Sequence, residues 1–296
     1  MTSITRFATG SQSTQNMDSV SSMSKRMAQL QEQISSGKAI QRASQDPSGT
    51  GSVLALRAEQ TRMSQYAQNI DNGVLRLNAT RIQVDSINDQ LLKSRELVLQ
   101  GQSSSSTAGT RSALAAQIDV IASSLLIAAN SDFAGRALFN GATSAATAYN
   151  AGGTYIGDTN QVTTRVDDSG STVRIELNGP EVFGVGGANA FAVLTAIADS
   201  LRNTPGNLPA NLVSLDSVIA TARGAQATIG SRINQLNELH DVTTDRILGV
   251  TGALSAVEDT DLTKSVMELT TQQTSYEAAL YATASIMQPS LMDFLR

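Results

Sequence analysis

A heptad repeat between residues 56 and 98 is the strongest constraint on how this 296-residue chain can fold. It keeps one face of a helix apolar over ~60 Å, at ~1.5 Å per residue. A single helix of that length cannot bury such a face, so other helices must pack alongside it. The repeat places an apolar side chain at every seventh position: Leu56, Met63, Ile70, Leu77, Val84, Leu91 and Val98.

Local signals mark the ends of the N-terminal helices. Gly37 is expected to end a first helix, because glycine tolerates the backbone conformation found there. Asp46-Pro47 is expected to begin the long helix, since the carboxylate accepts free backbone N–H groups and proline is tolerated at the first helical position. Gly101 and the serines after it are expected to end the long helix, and a shorter helix is predicted over 109–130.

The segment from Gly141 to Gly187 differs in composition and holds nine of the 22 glycines. Two runs of alternating apolar and polar residues flank the turn signal Asp168-Ser169-Gly170, which predicts a β-hairpin. A short helix over 188–202 and a connection over 205–209 are expected to follow. The alternating positions are Val162, Thr164 and Val166 in the first run, and Val173, Ile175 and Leu177 in the second.

Helical periodicity returns in the C-terminal part, with apolar residues spaced three and four apart from Leu215 to Val257. The phase changes across the acidic run 258–261. We expect this run to end one helix and cap the next, because carboxylates favour the positive N-terminal end of a helix dipole. Glycines in this stretch should weaken the helix by roughly 1 kcal/mol each and permit close backbone approach. They are Gly224, Gly230, Gly249 and Gly252.

The order of helices, β insertion and helices predicts a mainly α protein with a β-rich insertion. Long coiled-coil-like helices from both termini would pack together and carry a small outer β domain. We predict an inner domain of terminal helices (1–45 and 258–296), a long-helix bundle (46–140 and 206–257) and an outer β-rich domain (141–205).

Narrow apolar stripes near the two termini are the candidate functional residues. Each stripe is too narrow to offset its own ordering cost within one molecule. We therefore expect both terminal segments to be poorly ordered in the free monomer and helical in an assembly. The predicted assembly interface comprises Val20, Met23, Met27, Leu30, Ile34, Leu262, Val266, Leu269, Tyr276, Leu280, Met287, Leu291 and Phe294.

Composition argues against several classes of partner. Charged residues are 16% and the net charge is −5, which disfavours binding to nucleic acid or to an anionic membrane surface. The chain has no cysteine and one histidine, so neither a metal centre nor a cofactor is expected. No apolar run of ~20 residues is seen, so no transmembrane helix is expected. The first residues lack the apolar core of a cleaved signal peptide.

No residue pattern indicates catalysis, and we expect the protein not to be an enzyme. His240 is interpreted as a helix-packing residue hydrogen-bonded to a neighbour, since no nucleophile motif lies near it. The acidic run lacks the 12-residue spacing of a calcium loop. The segment 184–187 lacks the glycine spacing and the lysine of a phosphate-binding loop.

Four stretches, in this order along the chain, resemble the flagellin family. Gln33-Ile34-Ser35-Ser36-Gly37-Lys38 with Ser44-Gln45-Asp46-Pro47 is similar to the family's connection between its first two helices. Residues 133–141, FAGRALFNG, resemble the passage into the outer domain. Residues 258–262 resemble the start of the final helix, and residues 288–296 resemble the apolar tail.

The middle of the chain carries little family signal apart from two stretches that resemble the branch joining hook to filament more than filament flagellin: Tyr155-Ile156-Gly157-Asp158 and Val182-Phe183-Gly184. The resemblance implies a structural subunit that forms a junction ring and reaches the outside of the cell without a cleaved signal peptide. It implies these partners: copies of itself, the first hook-associated protein, flagellin, an export chaperone and the type III export apparatus. The alternative is a filament flagellin. A remote alternative, a cytoplasmic coiled-coil signalling protein, is disfavoured by the β insertion.

Overall fold

The computed structural model describes residues 2–143 and 145–287, and the side chains of residues 14–143 and 145–285. Two compact units share the long helices: one holds the terminal helices with the adjoining helix ends, and the other spans Arg62–Arg246. The helices are α1 (Thr2–Ser36), α2 (Pro47–Gly101), α3 (Ala108–Ala129), α4 (Gly179–Phe183), α5 (Ala190–Arg202), α6 (Leu208–Glu258) and α7 (Leu262–Met287).

In the larger unit, α2 and α6 run antiparallel. Arg95 Nε lies 2.7 Å from Asp216 Oδ1, and further along the pair His240 Nε2 lies 3.4 Å from Asp71 Oδ1. The residue number falls on α2 as it rises on α6, which is the order of two antiparallel helices. His240 therefore contacts a neighbouring side chain, as the sequence predicts.

The heptad repeat of α2 forms the centre of this unit, as predicted. Its members from Ile70 to Val98 are fully buried, and Met63 is 4% exposed. The polar positions Thr80 and Ser94, which lie between heptad members, are also fully buried and bond to carbonyls one turn earlier on the same helix. On α6, the apolar stripe is buried at Leu215, Ala222, Ile229 and Leu236.

Helix α3 packs against α5, and its residues Leu114, Ile118 and Leu125 are buried. Its apolar content is higher than the sequence analysis recognised. By length and composition it could cross a membrane, with a mean hydropathy of 1.7, although only 33% of that stretch is buried. Much of this apolar helix therefore faces outward.

Two small antiparallel hairpins are present, and only the second lies within the predicted insertion, because the first precedes Gly141. Strands β1 (Asp132–Phe133) and β2 (Arg136–Ala137) form the first, and β3 (Thr163–Arg165) and β4 (Thr172–Arg174) form the second. The second hairpin turns where Asp168-Ser169-Gly170 predicted, but each strand has three residues rather than the longer predicted runs. Helix α6 begins at Leu208, so the predicted connection over 205–209 is shorter than expected.

An aromatic cluster supplies the core of the insertion. Tyr149 packs against Tyr155, Phe183 and Phe191 with ring centroids 5.0–5.3 Å apart, and Phe139 meets Phe183 edge-on at 5.5 Å. Burial is the main cause of the raised pKa of Tyr149, and it also raises the pKa of Tyr155 to about 12. Large rings thus provide the burial that such short strands cannot.

A buried carboxylate lies where the insertion meets the long helices. The side chain of Glu176 is fully buried, with Arg76 Nε 2.5 Å and Arg136 Nη2 3.6 Å from Oε1. Arg76 also donates to Ala137 O at 2.9 Å, and Arg232 donates to Glu176 O at 2.9 Å. Burial raises the pKa of Glu176 and lowers that of Arg76. The ion pair thus connects α2 to the insertion, and the hydrogen bond from Arg232 connects α6 to it.

No part of the described chain approaches the four α6 glycines closely. A Cβ added at Gly224 or Gly249 would meet no described atom within 4 Å, and the same holds for the other two. Close approach occurs instead at Gly73, beside Ile175 and Leu236, and at Gly101, where a Cβ would collide with Leu201.

Candidate assembly interface

The terminal helices α1 and α7 pack against each other as an antiparallel pair. Arg26 Nη2 lies 3.5 Å from Glu268 Oε2 near the end of α1. Further along, Val20 of α1 lines an open groove together with Tyr276 and Leu280 of α7. The pair is therefore held by one seam between two helices.

The predicted residues of α1 lie along this seam. Leu30 is only 2% exposed. Val20, Met23, Met27 and Ile34 are half-buried, at the spacing that keeps them on one helical face. The apolar stripe of α1 is thus largely covered by α7 within the molecule.

The predicted stripe of α7 is only partly covered. Leu269 and Tyr276 are half-buried. In contrast, Leu262, Val266 and Leu280 are 50%, 49% and 43% exposed. These three residues form the open α7 face.

Three predicted residues cannot be placed on that face. Met287 is the last residue of α7, and its side chain is not described. Leu291 and Phe294 lie outside the described residues.

The terminal pair also exposes apolar residues outside the predicted stripes. Tyr281 is 79% exposed, Met267 is 68% exposed, and Met17 on α1 is 56% exposed. Met267 and Tyr281 are two heptads apart, so a search for a second apolar stripe on α7 would have found them. A single helix partner covers only part of an apolar band this wide.

The connections at the base of the terminal pair hydrogen-bond to each other. Gly37 ends α1 with a φ of 72°, as predicted. Ala39 N then donates to Glu258 O at 2.7 Å, Thr260 N donates to Gly37 O at 2.9 Å, and Lys38 pairs with Asp259 in an antiparallel bridge. We name this arrangement the junction clasp: residues 37–39 and 258–260, with Arg57 of α2.

Glu258 is the centre of the junction clasp and is 5% exposed. Its carboxylate forms ion pairs with Lys38 Nζ and with Arg57 Nη2, and Arg57 Nε lies 3.3 Å from Oε2. The hydrogen bond from Lys38, followed by that from Arg57, lowers the pKa of Glu258. The carboxylate is therefore held in its charged form between two chain connections.

The role predicted for the acidic run is correct only in part. The run does end α6 and precede α7, but only Asp261 acts as a cap, accepting from Lys264 N at 3.0 Å. Glu258 instead binds distant cations, and Asp259 accepts from Ser255 Oγ at 2.5 Å. Nothing in the local sequence distinguishes these roles, because the partners of Glu258 are about 200 positions away.

The predicted cap of α2 is present. Asp46 Oδ1 accepts from Ser48 N at 3.1 Å and from Gly49 N at 2.9 Å. These hydrogen bonds lower the pKa of Asp46. The start of the long helix is thereby fixed beside the junction clasp.

The terminal pair offers packing surface rather than a reaction centre. Among the described residues, no group of three or more His, Cys, Asp or Glu side chains could hold a metal ion. The open α7 face is apolar and has the periodicity of a helix seam. Such a face is suited to a further helix.

Comparison with known proteins supports the same interpretation. Residues 7–144 match the family model of the bacterial flagellin N-terminal helical region. Flagellar hook-associated protein 3 of Escherichia coli K12 is 24% identical, covering 97% of this chain and 98% of its own. The protein of that name from Salmonella typhimurium LT2 is 26% identical, over 93% and 94% of the two chains.

A solved structure shows the same fold. Flagellar hook associated protein-3 from Legionella pneumophila superposes with a TM-score of 0.62 at 14% identity, over 69% of this chain and 98% of that one. At this identity, the likeness supports the fold alone. Together with the family match, it confirms the predicted resemblance and the predicted mainly α architecture.

Proposed function

We propose that this flagellin relative is a structural subunit of the bacterial flagellum, which forms the junction ring between hook and filament. Two full-length relatives are named flagellar hook-associated protein 3. The observation that carries the proposal is the open α7 face: Leu262, Val266 and Leu280 remain 43–50% exposed although α1 already packs against α7.

In this proposal, the ring assembles when helices of neighbouring copies cover the open α7 face. Burying half-exposed leucine and valine side chains releases water and favours association, at roughly 25 cal/mol per Å² of apolar surface. The inner domain (1–45 and 258–296) would form the wall nearest the axis, the long-helix bundle the next layer, and the β-rich domain the outside.

The remaining partners follow from the same proposal. The first hook-associated protein would lie on one side of the ring and flagellin on the other. The chain would leave the cell through the type III export apparatus, guided by an export chaperone, without a cleaved signal peptide. The protein would act by assembly and not as an enzyme, because the relatives are structural flagellar proteins.

Deletion of the coding sequence tests the proposal. The mutant cells should make hooks that carry no filament and should release flagellin into the medium. Restoring the unchanged chain should restore filaments, whereas Val266→Asp should not, because a charge would have to be buried in the seam. Matched Thr270→Asp, an exposed polar position of α7, is the control. Normal filaments on deletion mutants would reject the junction role.

Microscopy separates the junction role from the alternative of a filament flagellin. An epitope in the outer domain should be detected at the hook–filament boundary. Label along the whole filament would instead support a filament subunit.

A further inference from the structure

Helix α3 presents an exposed apolar face, which the described residues of the larger unit leave largely uncovered. Its outward residues are spaced three and four apart, which is the spacing of a coiled-coil seam. Val120 is 66% exposed and Ile127 is 75% exposed, while Leu114, Ile118 and Leu125 lie buried on the opposite side. We name this face the α3 stripe: Ala113, Ala116, Val120, Ser123 and Ile127, all of them exposed.

A groove of about 360 Å³ runs beside the α3 stripe, between α2 and α3. Leu97 of α2 and Ala116, Val120 and Ile121 of α3 line it, together with Lys93 and Gln117. The Lys93 ammonium is paired with Glu96 at 2.7 Å. The groove therefore favours an uncharged, apolar helix face over a charged one.

Helix α6 carries a second outward face with the same spacing. It consists of small uncharged residues, and it lies opposite the buried residues Leu215, Ala222 and Ile229. A Cβ at Gly224 would meet no described atom within 4 Å, so this face is open. It extends over ~32 Å, at ~1.5 Å per residue. We name this face the α6 stripe: Ala210, Val213, Ser217, Ala220, Gly224, Ala227 and Ser231, all of them exposed.

The two stripes are complementary in side-chain size, and both are uncharged. The α3 stripe projects two large branched side chains, Val120 and Ile127, whereas most of the α6 stripe is alanine, serine and glycine. Neither stripe contains a charged residue. Large side chains of one helix that fit between small ones of another allow close packing in a coiled coil.

The stripes belong to different sides of the larger unit. Neighbouring residues of α2 line different grooves. Leu92 and Arg95 line a groove with α6, whereas Lys93 and Leu97 line the groove with α3. A helix turns by about 100° per residue, so these two pairs point in clearly different directions. The residues of both stripes are exposed, so the stripes do not cover each other within one molecule, and a contact between them must join two molecules.

We propose that the α3 stripe of one copy packs against the α6 stripe of the next copy. The contact is head-to-tail, with a different surface on each side, and repetition of such a contact closes into a ring or extends as a helix. This inference rests on the proposed function, because it requires that copies assemble. It adds a specific contact of the long-helix unit to the contacts of the terminal helices.

Disulfide cross-linking tests the contact, because the natural chain has no cysteine to interfere. One variant carries Val120→Cys, and a second carries a cysteine at one α6-stripe position, each stripe position being tried in turn. Both variants are produced in the same deletion strain, and the assembled flagella are then oxidised. Because each chain has one cysteine, any disulfide must join two molecules.

We expect disulfide-linked dimers from the mixed cells at one or more α6-stripe positions. Cells that make either variant alone should give none, since the same surface does not meet itself in a head-to-tail contact. Thr172→Cys, an exposed position of β4 outside both stripes, replaces the α6 cysteine as the control. Dimers from single variants, or no dimers at any stripe position in flagella that carry filaments, would overturn the inference.

A bulky substitution gives an independent measurement. Gly224→Leu should not lower the thermal stability of the monomer, because the position is open and leucine favours a helix more than glycine does, but it should reduce incorporation into flagella. Gly224→Ser should incorporate normally. Equal incorporation of both variants would count against the contact. Such a result would leave the proposed function intact, because normal filaments after deletion, not these variants, decide that proposal.

Discussion

Glu258, at the end of α6, forms an ion pair with Lys38, which lies 220 positions earlier in the chain. The pair joins the connection after α1 to the connection before α7. The two terminal helices are therefore tied together at their base as well as along their seam. Arg57 of α2 completes the contact.

Glu258→Gln should loosen the terminal pair. The substitution removes a charge that two cations bind, and hydrogen bonds to charged groups contribute about 1.5–3 kcal/mol each. Since Lys38 and Arg57 are about half exposed, solvent reduces this, and we expect a loss of about 1–2 kcal/mol. Denaturant unfolding measures it. Glu268→Gln, at the more exposed pair with Arg26, should change stability by less than about 0.5 kcal/mol.

The hydrogen bonds to the carboxylates of Glu258 and Asp46 predict that the protein loses stability in acid. The pKa values of Glu258 and Asp46 are lower in the folded chain than their ordinary values. Both carboxylates therefore contribute stability above their ordinary pKa, near pH 4–4.5. That contribution is lost as pH falls through the lower folded values. Unfolding measured from pH 7 to pH 3 should show a smaller decline for Glu258→Gln than for the unchanged chain. Parallel curves would contradict this.

Removing one partner of the buried Arg76–Glu176 ion pair should reduce stability more than Glu258→Gln does. Arg76→Met leaves the Glu176 carboxylate buried beside the more distant Arg136, and losing a buried partner costs about 3–5 kcal/mol. The double variant Arg76→Met with Glu176→Leu should recover part of this loss, because no buried charge is left without its partner. A double variant as unstable as the sum of the single variants would show that the charges do not interact.

Alanine substitutions at two glycines of the long helices should change the stability of the protein in opposite directions. Gly101→Ala places a Cβ against Leu201, and overpacking costs about 1–3 kcal/mol. Gly249→Ala has open space around it and should stabilise α6 by about 1 kcal/mol. Thermal unfolding of both variants checks the pair. Stabilisation by Gly101→Ala would contradict the contact with Leu201.

Hydrogen exchange on the purified monomer tests how firmly the terminal pair is held. With a single seam between two helices, α1 and α7 should exchange faster than the buried part of α2 around Leu77 and Leu91. In isolated flagella, the same amides should become protected. Strong protection of both terminal helices in the monomer would contradict the expectation that assembly orders them.

The sequence was sufficient to predict elements that depend on local or periodic signals. The burial of Leu77 and Leu91 follows from a seven-residue repeat, and the cap at Asp46 follows from the proline after it. The turn at 168–170 follows from residue types that favour turns. Each of these signals lies within a short window of the chain.

Features that depend on distant parts of the chain could not be predicted in the same way. The ion pairs of Glu258 and of Glu176 join residues far apart in sequence, and an acidic residue near a helix end is equally consistent with capping. The exposure of Leu262 and Leu280 depends on which part of the apolar band α1 covers. The antiparallel pairing of α1 with α7 determines which apolar residues of α7 are covered. The spacing of those residues in the sequence does not.

Cysteine labelling at Leu280 tests the central claim most directly, because it reports whether the open α7 face is covered on assembly. Leu280→Cys should react rapidly with a maleimide in the monomer and slowly in isolated flagella. Thr172→Cys on β4, at an exposed position away from the terminal pair and from both stripes, should react at similar rates in both states. Equally rapid labelling of Leu280→Cys in the monomer and in assembled flagella would contradict the claim.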